Sequence, residues 1–327
     1  MKRFLPVLGA SALLVAILGL VVWQRPDAPA EAIVQGDVVV QFANGVTMWR
    51  PGERETPVVK QVLRELGVAG LSPDGLRAAG GGVVVTTIDS RAQGAANELI
   101  NQFSLQKPGS YLQQSITAVD PVNGAVRAYV SREGHPQDYA GGIVRAAGTA
   151  LRPFGSAEVA RAAGVPEFAE VDGKIMALLA DDEELLRPLD LASAYATLGA
   201  DGVRHRAHFV THVTDASGRT VYRAATAGRP MFEGDPVRSK EFAARVNEEL
   251  RADPLCGIPQ DAACLPAEKW SRKVVEHAWM IGYTPRLSIV VFIGSDTLVA
   301  DRLGNPVTGT GLPSEHLRAF QEKLMNW

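Results

Sequence analysis

The sequence carries no excess of charge of either sign and no block of basic residues. Its 327 residues include 33 Lys and Arg against 36 Asp and Glu, which gives a formal net charge of -3. Proteins that bind nucleic acid concentrate Lys and Arg on one face or in one stripe. The charge balance therefore gives no electrostatic case for a nucleic-acid partner. At ~150 residues per domain, the length allows about two domains.

Histidine is scarce, with six in the chain, and three of these are close in sequence: His205, His208 and His212. Residues 208–213 show a strand pattern, and successive faces of a strand would separate His205 from His208. No carboxylate or cysteine stands at a spacing typical of zinc ligands. We therefore predict neither a metal site nor a cofactor.

Cysteine is nearly absent, since the chain has only Cys256 and Cys264. The two do not form a Cys-x-x-Cys motif, which argues against a redox centre. Outside the cytoplasm a disulfide is permitted, and closing so short a loop would contribute about 2–3 kcal/mol in the chain-entropy model. We predict a structural disulfide between them; the alternative is two unpaired thiols.

One long apolar run is present near the N-terminus. Residues 4–23 contain no charged side chain, and such a run at ~1.5 Å per residue spans the ~30 Å hydrocarbon core of a bilayer. Lys2 and Arg3 precede it, which keeps the N-terminus cytoplasmic. We predict that residues 1–24 form a cytoplasmic stub and a single-pass anchor in the cell membrane, with the rest extracytoplasmic. The alternative is a signal peptide cleaved near Ala28-Pro29-Ala30.

Residues 25–79 are predicted to form a stalk and a linker segment. The stalk, 24–36, is rich in Pro and Ala and is typical of an extended spacer. A strand pattern follows at 37–42. Apolar spacing predicts a helix in the run 57–68, with Gly67 as its C-cap.

Residues 80–327 are predicted to form one further domain with strands at both ends and helices between them. A β-branched run leads to Asp89, a suitable N-cap for the helix that follows, and the centre, 147–200, is predicted to be helical, as is the C-terminus. Three hairpins are predicted: 115–131 turning at Asn123-Gly124, 208–224 turning at Ser217-Gly218, and 277–296 turning at Thr284-Pro285-Arg286. This order is typical of an α+β fold in which an antiparallel sheet is flanked by helices.

Five of these segments resemble, in order, the transpeptidase domain of penicillin-binding proteins, most closely the bifunctional class A type. They are TTID with its helix (86–103), ITAVDPVNGAVRAYV (116–130), PLDLASAYATLGADGV (188–203), AWMIGYTPRLSIVVFIGSD (278–296) and TGTGLPSEHLRAF (308–320). The resemblance implies the fold shared by these transpeptidases and the serine β-lactamases. Residues 37–80 resemble the linker that follows the glycosyltransferase domain in such proteins, and that domain itself is expected to be absent here.

The resemblance also implies an acyl-transfer site built from Ser-x-x-Lys, Ser-x-Asn and Lys-[Ser/Thr]-Gly. In the first motif the serine position falls on Thr149 and the lysine position on Arg152. The family's lysine has a lowered pKa and accepts the proton of the serine that attacks the substrate carbonyl. A guanidinium, with a pKa above ~12, stays protonated and cannot act as that base.

The second and third motifs also depart from the family pattern. Ser156-Ala157-Glu158 follows the first motif at once and resembles Ser-x-Asn with an acid in place of the asparagine; alternatively, Ser156 only caps a helix. The third motif falls on Glu268-Lys269-Trp270, or on Lys269-Trp270-Ser271 after a slip of one residue. Trp270 stands where the family has a small residue, so its indole would obstruct the cleft unless it packs on the domain.

These departures predict a pseudo-transpeptidase. We expect a membrane-anchored, extracytoplasmic domain that no longer forms an acyl-enzyme and acts as a binding or scaffolding partner in peptidoglycan synthesis. The resemblance implies peptidoglycan or a cell-wall synthase as the partner. Two alternatives stay open: a divergent D,D-transpeptidase or carboxypeptidase that uses Thr149, and a non-covalent sensor of β-lactams or muropeptides.

Overall fold

The computed structural model describes residues 36–106, 112–132, 137–171, 174–179, 184–251, 262–271, 274–295 and 306–325. The predicted anchor, 4–23, and Cys256 lie outside these ranges. Within them, no helix combines the length and the apolar character that crossing a bilayer would require.

The described helices are α1 (Pro57–Val68), α2 (Pro73–Ala78), α3 (Ser90–Gln106), a 3-10 helix (Gly148–Phe154), α4 (Ala157–Ala163), α5 (Pro188–Gly199), α6 (Pro236–Arg251) and α7 (Leu312–Met325). The described strands are β1 (Val38–Gln41), β2 (Thr47–Trp49), β3 (Gly82–Thr86), β4 (Gln113–Val119), β5 (Val126–Ser131), β6 (Arg145–Ala146), β7 (Phe168–Val171), β8 (Lys174–Ala177), β9 (Leu185–Leu186), β10 (Val203–Arg204), β11 (Val210–Asp215), β12 (Thr220–Arg223), β13 (Arg229–Pro230), β14 (Ala263–Ser271), β15 (Val274–Tyr283) and β16 (Ser288–Gly294).

The central sheet has the order β14-β15-β16-β4-β5, and every pair in it is antiparallel. Alternate residues of β16 point to opposite faces. Val290 and Phe292 join the core beneath α5, while Ile289 and Val291 join a second core beneath α3 and α7. The predicted α+β architecture, with helices on an antiparallel sheet, is confirmed.

A second five-stranded sheet was not predicted. Its order is β12-β11-β3-β1-β2, and β1 pairs with β3 in parallel. The parallel pairing follows because α1 and α2 cross over between the two strands and return the chain in the same direction. The predicted boundary at residue 80 therefore falls next to a strand that pairs directly with the linker segment.

Hydrogen bonds tie the linker helix α1 to the central sheet. Gln61 Nε2 donates to Tyr129 Oη at 2.9 Å and to Asp138 Oδ2 at 3.0 Å, and the Tyr129 hydroxyl donates to the same carboxylate at 2.5 Å. Burial, and then the charge of Asp138, raises the pKa of Tyr129 well above its ordinary value. The phenol therefore keeps its proton and remains a donor.

The three predicted hairpins are confirmed as β4–β5, β11–β12 and β15–β16. The first turns where Asn123 Oδ1 accepts the Ala125 amide at 2.8 Å and Gly124 takes a φ of 78°. Asp89 caps α3 as predicted, since its Oδ1 accepts the Ala92 amide at 3.0 Å. The C-terminal helix is also confirmed as α7.

Two local predictions were wrong. Gly67 lies inside α1, which continues to Val68 with Ala69 as its C-cap, and the chain leaves the helix at Gly70, whose φ is 73°. The centre is not helical throughout, because the hairpin β7–β8 and the strand β9, which pairs with β6, lie between α4 and α5. The β7–β8 segments are short, and apolar runs of that length do not distinguish strand from helix.

Cys264 is fully buried in β14 and is disulfide-bonded. Because Cys256 lies outside the described residues, its pairing with Cys264 stays a prediction.

One buried histidine, His316, and one partly buried histidine, His277, should make stability depend on pH. Burial lowers the pKa of His316 from 6.5 to about 4, against the opposing effect of its contact with the Leu312 carbonyl, and burial followed by the charge of Arg145 lowers that of His277 to about 4. Both are neutral in the folded state at pH 5, whereas the unfolded chain binds protons below 6.5. The contribution of the two neutral side chains to the free energy of unfolding is therefore complete above pH 6.5 and is lost as the pH falls from 6.5 to 4.

We predict that the free energy of unfolding falls by about 1–2 kcal/mol for each of these histidines between pH 7.5 and pH 5. Urea denaturation of the wild type and of His316→Gln at both pH values measures this loss. The free energy of unfolding of the variant should fall less than that of the wild type between pH 7.5 and pH 5. An equal loss on acidification in both proteins would contradict the prediction.

Candidate functional site

The candidate site forms where the 3-10 helix crosses the free edge of the central sheet. Gly148 begins that helix with a φ of 57°, and a Cβ at this position would overlap the carbonyl oxygen of Glu268 in β14. Only glycine tolerates both the left-handed backbone and such a close approach of two main chains. This residue therefore sets how closely the helix approaches the edge strand.

Thr149 follows Gly148 and lies at the solvent-exposed side of the contact between the 3-10 helix and β14. Its side chain is exposed, and its Oγ1 accepts a hydrogen bond from the Glu268 backbone N–H at 3.1 Å. The structure therefore brings together the predicted nucleophile position and the strand that carries the predicted third motif. An edge N–H that could otherwise donate to a ligand carbonyl is engaged by the threonine hydroxyl.

The rest of the 3-10 helix is held by its apolar residues. Ala150, Leu151 and Phe154 are buried, and the Tyr195 hydroxyl of α5 donates to the Ala150 carbonyl at 2.8 Å. The Phe154 and Tyr195 rings meet edge-on with centroids 5.3 Å apart. These contacts fix the turn without using either the hydroxyl of Thr149 or any base.

Arg152, at the predicted base position, is exposed to solvent. Within the described parts of the chain, its guanidinium makes no ion pair and no hydrogen bond. It is close enough to α5 for its positive charge to oppose, in part, the rise in the pKa of Tyr195 that burial causes. A permanently protonated group at this place can attract an anion but cannot accept a proton from a hydroxyl.

Ser156 is the N-cap of α4, and its Oγ accepts the Val159 amide at 3.3 Å. The helix-cap interpretation of this residue is therefore confirmed. Glu158 is an exposed acid in the first turn, where it complements the positive end of the helix dipole. Any further role of these two residues as a second motif stays a prediction.

The Glu268 side chain accepts a hydrogen bond from a neighbouring segment. Its Oε1 accepts the Gly309 backbone N–H at 2.8 Å, and Gly309 lies so close to β14 and β15 that a Cβ there would overlap the Trp279 carbonyl oxygen. The carboxylate therefore joins the edge strand to the Thr-Gly-Thr-Gly segment at 308–311. A lysine in its place would carry the opposite charge and could not accept this hydrogen bond.

Lys269 and Trp270 continue β14 beyond this point, with an irregularity in the pairing to β15 between them. Lys269 is half-buried, and the Trp270 side chain is 49% exposed. Trp270 lies within the strand and not in a loop. Whether its indole obstructs a ligand stays a prediction.

Sequence reasoning missed a cavity of 570 Å³ at the same end of the sheet. Its polar lining includes Arg145, Glu276, His277 and Ser295, and Arg145 Nε donates to Gln113 Oε1 at 2.8 Å. Glu276 and His277 are adjacent in β15, whereas Arg145 lies in β6 and Ser295 follows β16, so only the strand order brings these three segments together. Within the described residues no group of side chains could hold a metal ion.

The fold and the order of its segments define a transpeptidase-like domain of the penicillin-binding-protein type. The solved structure of penicillin-binding protein PonA1 from Mycobacterium tuberculosis superposes with a TM-score of 0.70 and 23% identity, over 82% of this chain and 91% of that one. The D,D-transpeptidase domain of a peptidoglycan glycosyltransferase from Eggerthella lenta gives a TM-score of 0.56 and 14% identity, over 90% and 99%. At these identities the similarity shows the fold alone.

Sequence relatives agree with this assignment. Penicillin-binding protein 1A of Mycobacterium tuberculosis is 33% identical over 144 residues, and that of Mycolicibacterium smegmatis is 33% identical over 149 residues. Each match covers 42% of this chain but only 18% of the relative's length. No protein-family model matches the chain. The expected resemblance to a penicillin-binding-protein transpeptidase domain is confirmed.

The close approach at Gly148 can be tested against a matched glycine seven residues later. Gly155 also has a positive φ, 73°, but a Cβ there would meet no atom within 4 Å. We predict that Gly155→Ala costs about 1–2 kcal/mol for the left-handed backbone alone, whereas Gly148→Ala costs about 3 kcal/mol or more because two backbones must separate. Urea denaturation of both variants measures the difference. Equal losses would show that the helix moves freely away from β14.

Proposed function

We propose that this protein is a pseudo-transpeptidase: a membrane-anchored, extracytoplasmic domain that keeps the transpeptidase fold without forming an acyl-enzyme. It binds or scaffolds in peptidoglycan synthesis, with peptidoglycan or a cell-wall synthase as its partner. The anchoring follows from the uncharged run at 4–23, and the partner class follows from the resemblance of the domain.

The proposal rests on the presence of an arginine, Arg152, at the predicted position of the base. Acyl transfer to a hydroxyl requires a base that takes the proton as the oxygen attacks. The side chain at the predicted base position is a guanidinium. It is exposed to solvent, whereas a catalytic lysine depends on burial to lower its pKa. Proton transfer from Thr149 to this group is unfavourable at every physiological pH.

The state of the hydroxyl supports the same conclusion. Thr149 Oγ1 already accepts the Glu268 N–H, which occupies one lone pair of the atom that would attack. A secondary hydroxyl is also bulkier than that of serine. No described carboxylate, histidine or lysine forms a hydrogen bond with Thr149 that would replace the missing base.

The edge strand adds a charge argument. An anionic substrate terminus would be attracted by a lysine at the start of the third motif, whereas Glu268 places a carboxylate there. Like charges at short range cost free energy, and more so where water is partly excluded. The strand therefore disfavours the carboxylate ligands that a working transpeptidase would bind in this place.

The purified full-length chain should form no covalent adduct with a fluorescent penicillin. Intact-mass spectrometry and gel fluorescence after incubation test this, with a penicillin-binding protein that carries an intact Ser-x-x-Lys motif as the positive control. We expect no mass increase in the wild type or in Arg152→Lys, because that variant restores one motif residue and leaves Thr149 and Glu268 unchanged.

An adduct in the wild type that disappears in Thr149→Ala would refute the proposal and support a divergent acyl-transferring enzyme. Reversible penicillin binding without an adduct would support a sensor instead. Absence of both, together with co-purification of a cell-wall synthase from membranes, is the outcome expected of a scaffold.

A further inference from the structure

A second cleft lies where the linker helix α1 meets the hairpin β11–β12 and the start of α5. It has a volume of 470 Å³, and none of its lining residues belongs to the 3-10 helix or to β14. Its lining includes small and aliphatic side chains, among them Leu189, Ala207 and Ala224.

The polar lining of this cleft is dominated by guanidinium groups from four separate parts of the chain. They are Arg64 in α1, Arg187 before α5, Arg206, and Arg223 at the end of β12. A protein with a net charge of -3 thus places four cations around one concave surface.

The acidic groups at the cleft do not balance these cations. Arg187 is neutralised by Asp190, to which it donates from Nε at 2.7 Å and from a terminal nitrogen at 2.8 Å. Glu65 is the one carboxylate in the lining, and Asp138 also acts electrostatically on Arg187, so four arginines face three carboxylates and positive charge remains in excess.

Glu65 is also engaged by the protein itself. Its oxygens accept the backbone N–H of Phe209 at 2.6 Å and the hydroxyl of Tyr222 at 3.2 Å. Burial, and then the charge of Glu65, raises the pKa of Tyr222, so the phenol remains a donor to this carboxylate. These hydrogen bonds hold Glu65 against the hairpin and restrict its ability to pair with the arginines.

Arg206 and Arg223 are exposed and have no ion pair or hydrogen bond from their side chains to any residue that the structure describes. Arg64 donates only to the neutral Gln61 Oε1, at 3.0 Å. Three guanidiniums therefore present donors to one cleft without an anion to accept them.

We propose that this cleft is a binding site for a small ligand that carries two or more phosphate or carboxylate groups. Guanidinium groups form paired hydrogen bonds with the oxygens of both kinds of anion. The low-dielectric walls of a concave site strengthen the attraction of like-signed side chains for a counter-ion. The aliphatic part of the lining can contact a short carbon framework between the anionic groups.

Isothermal titration of the full-length chain with pyrophosphate, and separately with citrate, tests the proposal at low ionic strength. We expect saturable binding of one molecule to one chain, weakened by added salt because the arginines are exposed to solvent. Arg206→Gln and Arg223→Gln should each weaken binding at least about tenfold, since each removes charge-assisted hydrogen bonds to the anion.

Arg286→Gln is the matched control. Arg286 is an exposed arginine in the β15–β16 turn, outside the cleft lining, and its replacement changes the net charge by the same amount. Its affinity should stay within about twofold of the wild type. Thermal melting of all three variants verifies that each remains folded.

Tighter binding of pyrophosphate would identify phosphate as the natural group, and tighter binding of citrate would identify carboxylate. Absence of saturable binding to the wild type would overturn the proposal. An equal loss of affinity in Arg286→Gln and in the two cleft variants would also overturn the proposal, because the loss would then follow from net charge alone.

Discussion

The structure depends on one constraint: β4 and β16 are buried along their whole length on both faces. A strand in that position must be paired on both sides and covered above and below, because its backbone needs partners and its side chains must avoid water. The helices α3 and α7 cover one face and α5 covers the other. The chain between these helices is consequently directed along the edges of the sheet, which is where the candidate site and the 3-10 helix are found.

The core contacts of the 3-10 helix are separate from the residues of the candidate site. The 3-10 helix is anchored by Leu151, Phe154 and the contact with Tyr195, and its distance from β14 is set by Gly148. None of these contacts uses a lysine base or an asparagine. These core contacts are independent of Thr149 and Glu268, whose hydrogen bonds lie at the edge of the sheet.

The linker segment is part of the same body as the transpeptidase-like domain. It contributes β1 and β2 to the second sheet, and α1 donates through Gln61 to a buried tyrosine of the central sheet. The carboxylate of Glu65, also in α1, is held by the hairpin β11–β12. These contacts hold together the segments that carry the arginines of the second cleft, so an anionic ligand there would bind across the junction of the linker and the domain.

The sequence by itself determined the local elements. Hairpin turns such as Asn123-Gly124 and the cap at Asp89 were predictable because their signals act over a few residues, and a guanidinium at position 152 excludes a base whatever its surroundings. Only the tertiary structure decided that Gly148 contacts Glu268, that β1 pairs with β3 in parallel, and that Arg64, Arg206 and Arg223 share a cleft. Those arrangements join residues far apart in the chain, and they arise from packing both faces of the central sheet, which no local pattern encodes.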